Sequence, residues 1–442
     1  MTGQAWIGLG GFGALLGLIL LDIPIGIAMG VVGLVGLALL IGTDGAFATL
    51  KVVGHGDLMS YGLSVVPLFV LMGVFAARAG LSAQLFGAAN AFLGHRRGGL
   101  TVATIAAAAG FSAICGSSLA TAATMGKVAL PEMRRYGYEP GFSAGTVAAG
   151  GTLGILIPPS IMMIVYSIIT ETPLLGLFAG ALVPGLMAVA FYVGAILLVT
   201  ARRPDIAPRA ARLGWGARLR GVRDAGAVIA IFLLVIGGIY GGFFTPTEAA
   251  SVGAFLTGAV FLATQGLDLA GLKETLLETA GTTAMIFLVV IGAGLFSFFL
   301  SFSGLPRVFA GAVTGLGLPP IAILLAIVLL YLILGCFMDS LGMMILTVPV
   351  LFPLVQELAP DLGMTAAEAA IWFGIVVVIA IEIGLMTPPL GLNVFIIQGV
   401  APDIPVTAIF RGVVPFWVAD VLRLVVLILI PALVLWFPRW LG

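Results

Sequence analysis

Charge is what this chain has least of. Only 9% of its 442 residues are Asp, Glu, Lys or Arg, where a water-soluble chain carries about a quarter, and that deficit excludes a soluble globular fold. The nineteen basic and nineteen acidic residues cancel. No basic tract is interleaved with aromatics, so no nucleic-acid partner is expected. The two histidines, His55 and His95, stand alone in stretches that read as loops, and no paired His or carboxylate motif falls on facing spans, which argues against a membrane-embedded enzyme. The two cysteines, Cys115 and Cys336, sit in apolar, Gly-containing surroundings and read as small packed residues, not as a disulfide. A G-x-x-x-x-G-K-[ST] run is missing, so an ATP-driven pump is not expected in this polypeptide, and nothing asks for an organic cofactor. The N-terminus, MTGQAWIGLGG, lacks a positive n-region, and Trp6 to Leu21 reads as a first span, not as a cleaved signal peptide.

What is present is apolar: 61% of the residues are hydrophobic. Runs long enough to cross a bilayer, about 20 residues each, fall near 5–21, 24–42, 62–79, 142–170, 176–200, 225–242, 245–264, 278–302, 369–399 and 408–437. Two further apolar regions, 98–131 and 319–357, are interrupted in the middle by CGSSLAT (115–121) and GCFMDSLG (335–342). Such segments read as re-entrant helical hairpins, whose tip backbone is tolerated only where protein or water surrounds it. With ten crossings, two hairpins and the Arg-rich stretch 201–224 in the cytoplasm, 15 of the 19 basic residues fall inside, three (Lys51, Arg307, Arg439) outside and Arg423 within a span. That distribution follows the positive-inside rule and puts both termini in the periplasm.

The chain also repeats itself. Gly154, Pro158 and Pro159 correspond to Gly384, Pro388 and Pro389 at an offset of 230; Ser118, Leu119 and Pro131 correspond to Ser340, Leu341 and Pro353 at 222; Gly80-Leu81 corresponds to Gly304-Leu305 at 224. The expected fold is therefore an all-α polytopic membrane protein of two repeats, 1–200 and 225–442, joined by a basic cytoplasmic linker, 201–224. Each half has five crossings, an odd number, so the copies lie in inverted orientation. Each contains a hairpin (98–131, 319–357) and a broken helix (142–170, 369–399). Inverted repeats with broken helices characterise secondary transporters, with the binding site at the breaks near the midplane.

A proline removes an N–H and displaces the carbonyl four residues back, here Gly154 for Pro158 and Gly384 for Pro388. Something polar must meet those carbonyls in lipid, and Na⁺ needs only oxygen ligands. Ser117, Ser118 and Thr121 at the first tip, Asp339 and Ser340 at the second, and Thr387 and Asn393 beside the second break can supply side-chain oxygens. Helix N-termini at the tips would face an anionic substrate, bounded by Pro158, Pro159 and Pro388. Asp339 is either a countercharge for Na⁺ or a structural hydrogen-bonding group. Lys127 and Glu132 read as interfacial anchors and Glu248 as part of a helix start, while Glu382 and Asp420 are intramembrane acids with no partner that the sequence names.

Five blocks carry a resemblance: GSSLATAATMGKVALPEM (116–133), GTLGILIPPSIMMIVYSIITETPLLGLFAGALVPGLM (151–187), GGFFTPTEAASVGA (241–254), GCFMDSLGMMILTVPVLFPLV (335–355) and IEIGLMTPPLGLNVF (381–395). In this order they resemble the large membrane (M, DctM-type) subunit of tripartite ATP-independent periplasmic (TRAP) transporters, over nearly the whole chain. The resemblance implies Na⁺-coupled uptake of an organic acid across the bacterial inner membrane by an elevator mechanism. Its implied partners are a small four-span membrane (Q) subunit, expected as a separate polypeptide, and a periplasmic solute-binding (P) protein. It implies two or more Na⁺ ions. One site would join the tip at Cys115, Gly116, Ser117 and Ser118 to the break at Gly151 and Gly154, and the other would join Gly335 and Asp339 to Gly384 and Thr387, with substrate between them. The halves differ, since Ser117 aligns with Asp339 and Ile157 with Thr387. Alternative readings are a Na⁺-coupled symporter working without a binding protein, or an ion channel that reuses carbonyl-lined breaks.

Overall fold

The computed structural model describes residues 3–441, which form helices and turns with no strand among them. The first half runs α1 (Gly3–Leu20), α2 (Ile25–Leu58), α3 (Val65–Arg78) and α4 (Leu81–Leu93). A hairpin of α5 (Gly99–Cys115) and α6 (Ser118–Arg135) follows, then a broken pair, α7 (Pro140–Leu156) and α8 (Ile161–Thr170), and α9 (Leu174–Arg202). The basic linker contains α10 (Trp215–Asp224). The second half runs α11 (Gly226–Tyr240), α12 (Pro246–Gln265), α13 (Leu269–Ser303) and α14 (Leu305–Thr314). Its hairpin is α15 (Pro320–Gly335) with α16 (Ser340–Leu358), its broken pair α17 (Ala366–Gly384) with α18 (Leu392–Val400), and α19 (Val406–Leu429) and α20 (Ala432–Leu441) close the chain.

Ten segments among the described residues are long and apolar enough to cross a membrane, one of them made of α7 and α8 together. Large apolar side chains such as Leu233 (61% exposed) and Phe255 (75% exposed) line the outer surface of the helices, as a lipid environment permits. The chain is a multi-pass membrane protein. Length alone does not separate hairpin from crossing: α16, with 19 residues, is long and apolar enough to cross, while α11, with 15, is so only together with α10, bent by 49°. Contacts at the tips are more telling. The carbonyl of Cys115 abuts Gly73, well inside α3, where a Cβ would come within 2.8 Å of it. The first tip therefore lies at the depth of helix interiors and not at a membrane surface.

Two groups of helices are distinguishable. In one, α2 lies along α13 and α12 along α3, with α1 and α11 on their flanks. Glycines permit the approach: a Cβ at Gly33 would sit 2.7 Å from the backbone of Leu295 and Phe296. In the other, α7 packs on α6, α5 and α19, and α17 on α15, α16 and α19. Gly80 (φ 73°) and Gly304 (φ 67°) start α4 and α14 in the left-handed region, which explains the matched Gly-Leu pairs.

Residues counted on the basic face meet one another. Ala210 N donates to Gly94 O (3.0 Å) and Glu139 N to Ile206 O (2.9 Å), while Arg134 pairs with Asp403 (2.7 Å) and Arg78 with Glu274 (2.9 Å). Three features depart from expectation. Helix α2 does not end at residue 42 but kinks at Gly42 (φ 82°) and continues through Asp44, Lys51 and His55, so His55 is helical and not in a loop. The linker is partly helical, with Arg218 buried under Trp215 and Phe92. The last crossing is interrupted at Ile430–Pro431, where proline cannot continue α19.

Candidate functional site

Helix α5 ends at buried Cys115, and Gly116 (φ 64°) turns the chain in a conformation that disfavours any side chain. Ser117 is the N-cap of α6, its Oγ accepting from Ala120 N at 3.4 Å. This tip lies against the first break. A Cβ at Gly116 would be 2.7 Å from Pro159 O, one at Gly154 2.5 Å from Ser117 O, and one at Gly151 2.6 Å from the Ala122 side chain. The Gly116 carbonyl accepts from Ile161 N (3.4 Å). Glycine is thus required at 154, where helix and tip touch backbone to backbone, and at 151, where the Ala122 methyl of α6 fills the space a Cβ would take. Pro158 and Pro159 form a cis peptide bond, as do Pro388 and Pro389. Ser160 then restarts the helix as the N-cap of α8.

The second tip is built differently. Gly335 ends α15 directly against Gly384, where a Cβ would meet the Gly384 Cα at 2.6 Å. Asp339 is the N-cap of α16, its Oδ2 accepting from Leu341 N (3.1 Å) and Gly342 N (3.2 Å). A cap needs an acceptor but not a charge. The expected vacancy at Gly384 does not occur: its carbonyl accepts from Thr387 N (3.0 Å), because the chain tightens into a turn after α17. Nor does Thr387 turn to the tip. Its hydroxyl donates to Ile383 O (2.6 Å) and accepts from Trp417 Nε1 (3.0 Å) on α19.

The two halves meet at Asn393. Fully buried at the start of α18, it bonds Ser118 Oγ through Oδ1 (3.0 Å) and Nδ2 (2.8 Å), and Nδ2 also reaches Ala148 O (3.2 Å). Position 163, the counterpart of 393 at the 230 offset, is a methionine, so this bond has no mirror image. Thr121 is fully buried, and its hydroxyl has no hydrogen-bond partner among the described residues.

A cavity of about 240 Å³ lies between the tips. Ser117 and Ser118 line it from the first tip, Asp339 and Ser340 from the second, Ile161 and Leu392 from the starts of α8 and α18, and Thr282 and Met285 from α13. Four helix N-termini (α6, α8, α16, α18) therefore point their partial positive charge at one space. Gly151, Gly154 and Gly335 form the walls behind the tips, and Pro388 and Thr387 do not line this cavity. Among the described residues no three His, Cys, Asp or Glu side chains gather as a transition-metal site would require.

Sequence reasoning left Glu382, Asp420 and Arg423 without partners. They form one fully buried cluster: Arg423 Nη2 lies 2.7 Å from Glu382 Oε2 and 2.9 Å from Asp420 Oδ1. The i, i+3 spacing of Asp420 and Arg423 on one helix was the signal available.

Comparison with known proteins agrees with this architecture. Residues 12–433 match the model of the family described as "Tripartite ATP-independent periplasmic transporter, DctM component". The chain is 38% identical to the C4-dicarboxylate TRAP transporter large permease protein DctM of Pseudomonas aeruginosa, over 86% of this chain and 87% of that one. It is 33% identical to the sialic acid TRAP transporter large permease protein SiaM of Vibrio cholerae, over 96% and 95%. In fold it is similar to the crystal structure of the Alcanivorax borkumensis YdaH transporter, with a TM-score of 0.61 and 16% identity over 98% of this chain and 99% of that one. These relatives are transporter permeases, not enzymes. A chain whose two hairpin tips enclose one cavity, and which matches the family model almost end to end, belongs to the DctM component family of tripartite ATP-independent periplasmic transporters.

Proposed function

We propose that this chain carries an organic acid inward together with Na⁺, as the large permease subunit of a binding-protein-dependent importer. The observation that carries the reading is the cavity between the tips, where four helix N-termini and three serine hydroxyls surround one aspartate. Helix N-termini favour a carboxylate or other anion. Asp339 exposes a second negative group to the same space, and two unneutralised like charges a few ångströms apart repel. Cations must enter with the acid. Na⁺ suits the available ligands, which are hydroxyl and carbonyl oxygens of Ser117, Ser118, Thr121 and the Gly151–Gly154 segment on one side, and the Gly335 carbonyl and Asp339 carboxylate on the other. With a monocarboxylate substrate the charge balance asks for two Na⁺.

The tight tip-to-break contacts and the Asn393–Ser118 bonds favour movement of hairpins and broken helices as one body. In an elevator cycle that body slides against the group built on α2, α3, α12 and α13. The small four-span subunit enlarges the static group, the periplasmic solute-binding protein delivers substrate, and both termini face the periplasm of a bacterial inner membrane. The named activities of the relatives, toward a C4-dicarboxylate and a sialic acid, support an organic acid as the substrate class.

The test is uptake of radiolabelled organic acids into proteoliposomes holding this chain with its small subunit and binding protein. Concentrative uptake that needs an inward Na⁺ gradient and the binding protein is expected. Passive flux indifferent to Na⁺ would contradict the proposal and favour a channel.

A further inference from the structure

A buried side-chain network, with no role in the reading above, runs from one broken helix to the other. Thr152 Oγ1 on α7 lies 2.9 Å from Tyr192 Oη on α9. Tyr192 Oη donates to Asp420 Oδ2 on α19 (2.5 Å). Asp420 Oδ1 lies 2.9 Å from Arg423 Nη2, which donates to Glu382 Oε2 on α17 (2.7 Å). All five side chains are fully buried. Thr152 and Glu382 stand 230 residues apart, the offset that relates Gly154 to Gly384 and Pro158 to Pro388. The network thus joins equivalent positions of the two halves, each two residues before the glycine that meets its hairpin tip.

We propose that this network couples the two breaks, with Tyr192, Asp420 and Arg423 as positioning residues that hold α7 in register with α17. The link between Asp420 and Arg423 is an ion pair, and the links on either side of it are hydrogen bonds; in a dry interior a shift at one end weakens the pairing of buried charges at the other. A packed element with discrete arrangements transmits such a shift, and the coupling is reciprocal. Where Asn393 links the first tip to α18, this network links the helices behind both tips. Its transport consequence, that the two Na⁺ sites load together, rests on the proposed function; the coupling itself does not.

The experiment is amide hydrogen exchange on the purified full-length chain in lipid nanodiscs, read by peptide mass spectrometry. Tyr192→Phe removes the hydroxyl that joins Thr152 to Asp420 and leaves the Arg423–Glu382 pair in place. Coupling predicts exchange at least threefold faster at the first break (Ile157 and Ile161 amides) and also at the second (Thr387 and Asn393 amides), with α2 and α13 unchanged. Glu382→Gln should produce the same pair of changes from the other end. Faster exchange confined to the break nearest each substitution would overturn the proposal. Should either single variant fail to fold, Glu382→Gln/Asp420→Asn/Arg423→Met removes every charge together. In that background Tyr192→Phe should leave the second break unchanged, and a further threefold change there would contradict coupling through the network. A wild-type protein whose uptake ignores Na⁺ would sink the transport reading and leave the exchange result standing.

Discussion

Gly154→Ala is the sharpest probe of the tip-to-break contact. The added methyl would lie 2.5 Å from the carbonyl oxygen of Ser117, 2.6 Å from its carbonyl carbon and 2.9 Å from Ser118 N, where ordinary contact begins at 3.4 Å. All three atoms are backbone, so no side chain can swing aside, and the tip must withdraw by about 0.9 Å, the difference between 3.4 and 2.5 Å. Overpacking of that kind costs about 1–3 kcal/mol. If the tip and Gly154 share an ion, the cost falls on the ion-bound state, and the Na⁺ concentration for half-maximal uptake rises roughly 5- to 150-fold. Gly194→Ala is the matched control, because nothing lies within 4 Å of its added methyl. Na⁺ titration of uptake in both variants, normalised to folded protein, is the assay. Wild-type Na⁺ dependence in Gly154→Ala would refute the reasoning, since the tip would then tolerate displacement without consequence for the ion.

Three further substitutions separate charge, hydrogen bonding and packing. Asp339→Asn keeps an N-cap of similar quality on α16, so the protein should fold while uptake falls at least tenfold; unimpaired uptake would reduce Asp339 to a cap. Asn393→Ala strands the Ser118 hydroxyl in the interior and removes an additional bond to the Ala148 carbonyl, which keeps its partner within α7. A loss of about 1–3 kcal/mol is expected from the unpaired hydroxyl, visible as a lower unfolding midpoint and a raised KM for the acid. Arg423→Met leaves Glu382 and Asp420 buried without their cation, which should cost about 3–5 kcal/mol and deplete folded protein in a thermal-unfolding assay. An unchanged midpoint would show that those carboxylates are not charged together.

Much of this architecture was legible because bilayer physics is severe. A run of 20 apolar residues has few alternatives to a membrane helix, and Gly-Ser or Asp interruptions in such a run mark hairpin tips. Gly154 stood out by its repeat at Gly384 in the second half, and the structure supplies the reason in a backbone contact that admits no Cβ. Short helices were harder to see. Helices α4 and α14 depend on the left-handed glycines 80 and 304 to turn the chain, and periodicity over 10 to 13 residues is a weak signal. Partnership across long separations was illegible: Arg423 meets Glu382 only because α17 and α19 pack side by side, and Thr387 loses its expected role to a turn and to Trp417. Asn393 and Ser118 were both visible as oxygen donors, but their pairing depends on how the two halves interlock.

The most direct test of a substrate and ion site between the tips is protection of that cavity from chemical labelling. With Cys115 and Cys336 replaced by alanine, Ser340→Cys would place a single thiol on the cavity wall. Its reaction with a small charged maleimide should slow at least fivefold when Na⁺ and the transported acid are both present, and return to the unprotected rate when K⁺ replaces Na⁺. A labelling rate indifferent to both would place substrate and ion elsewhere in the molecule.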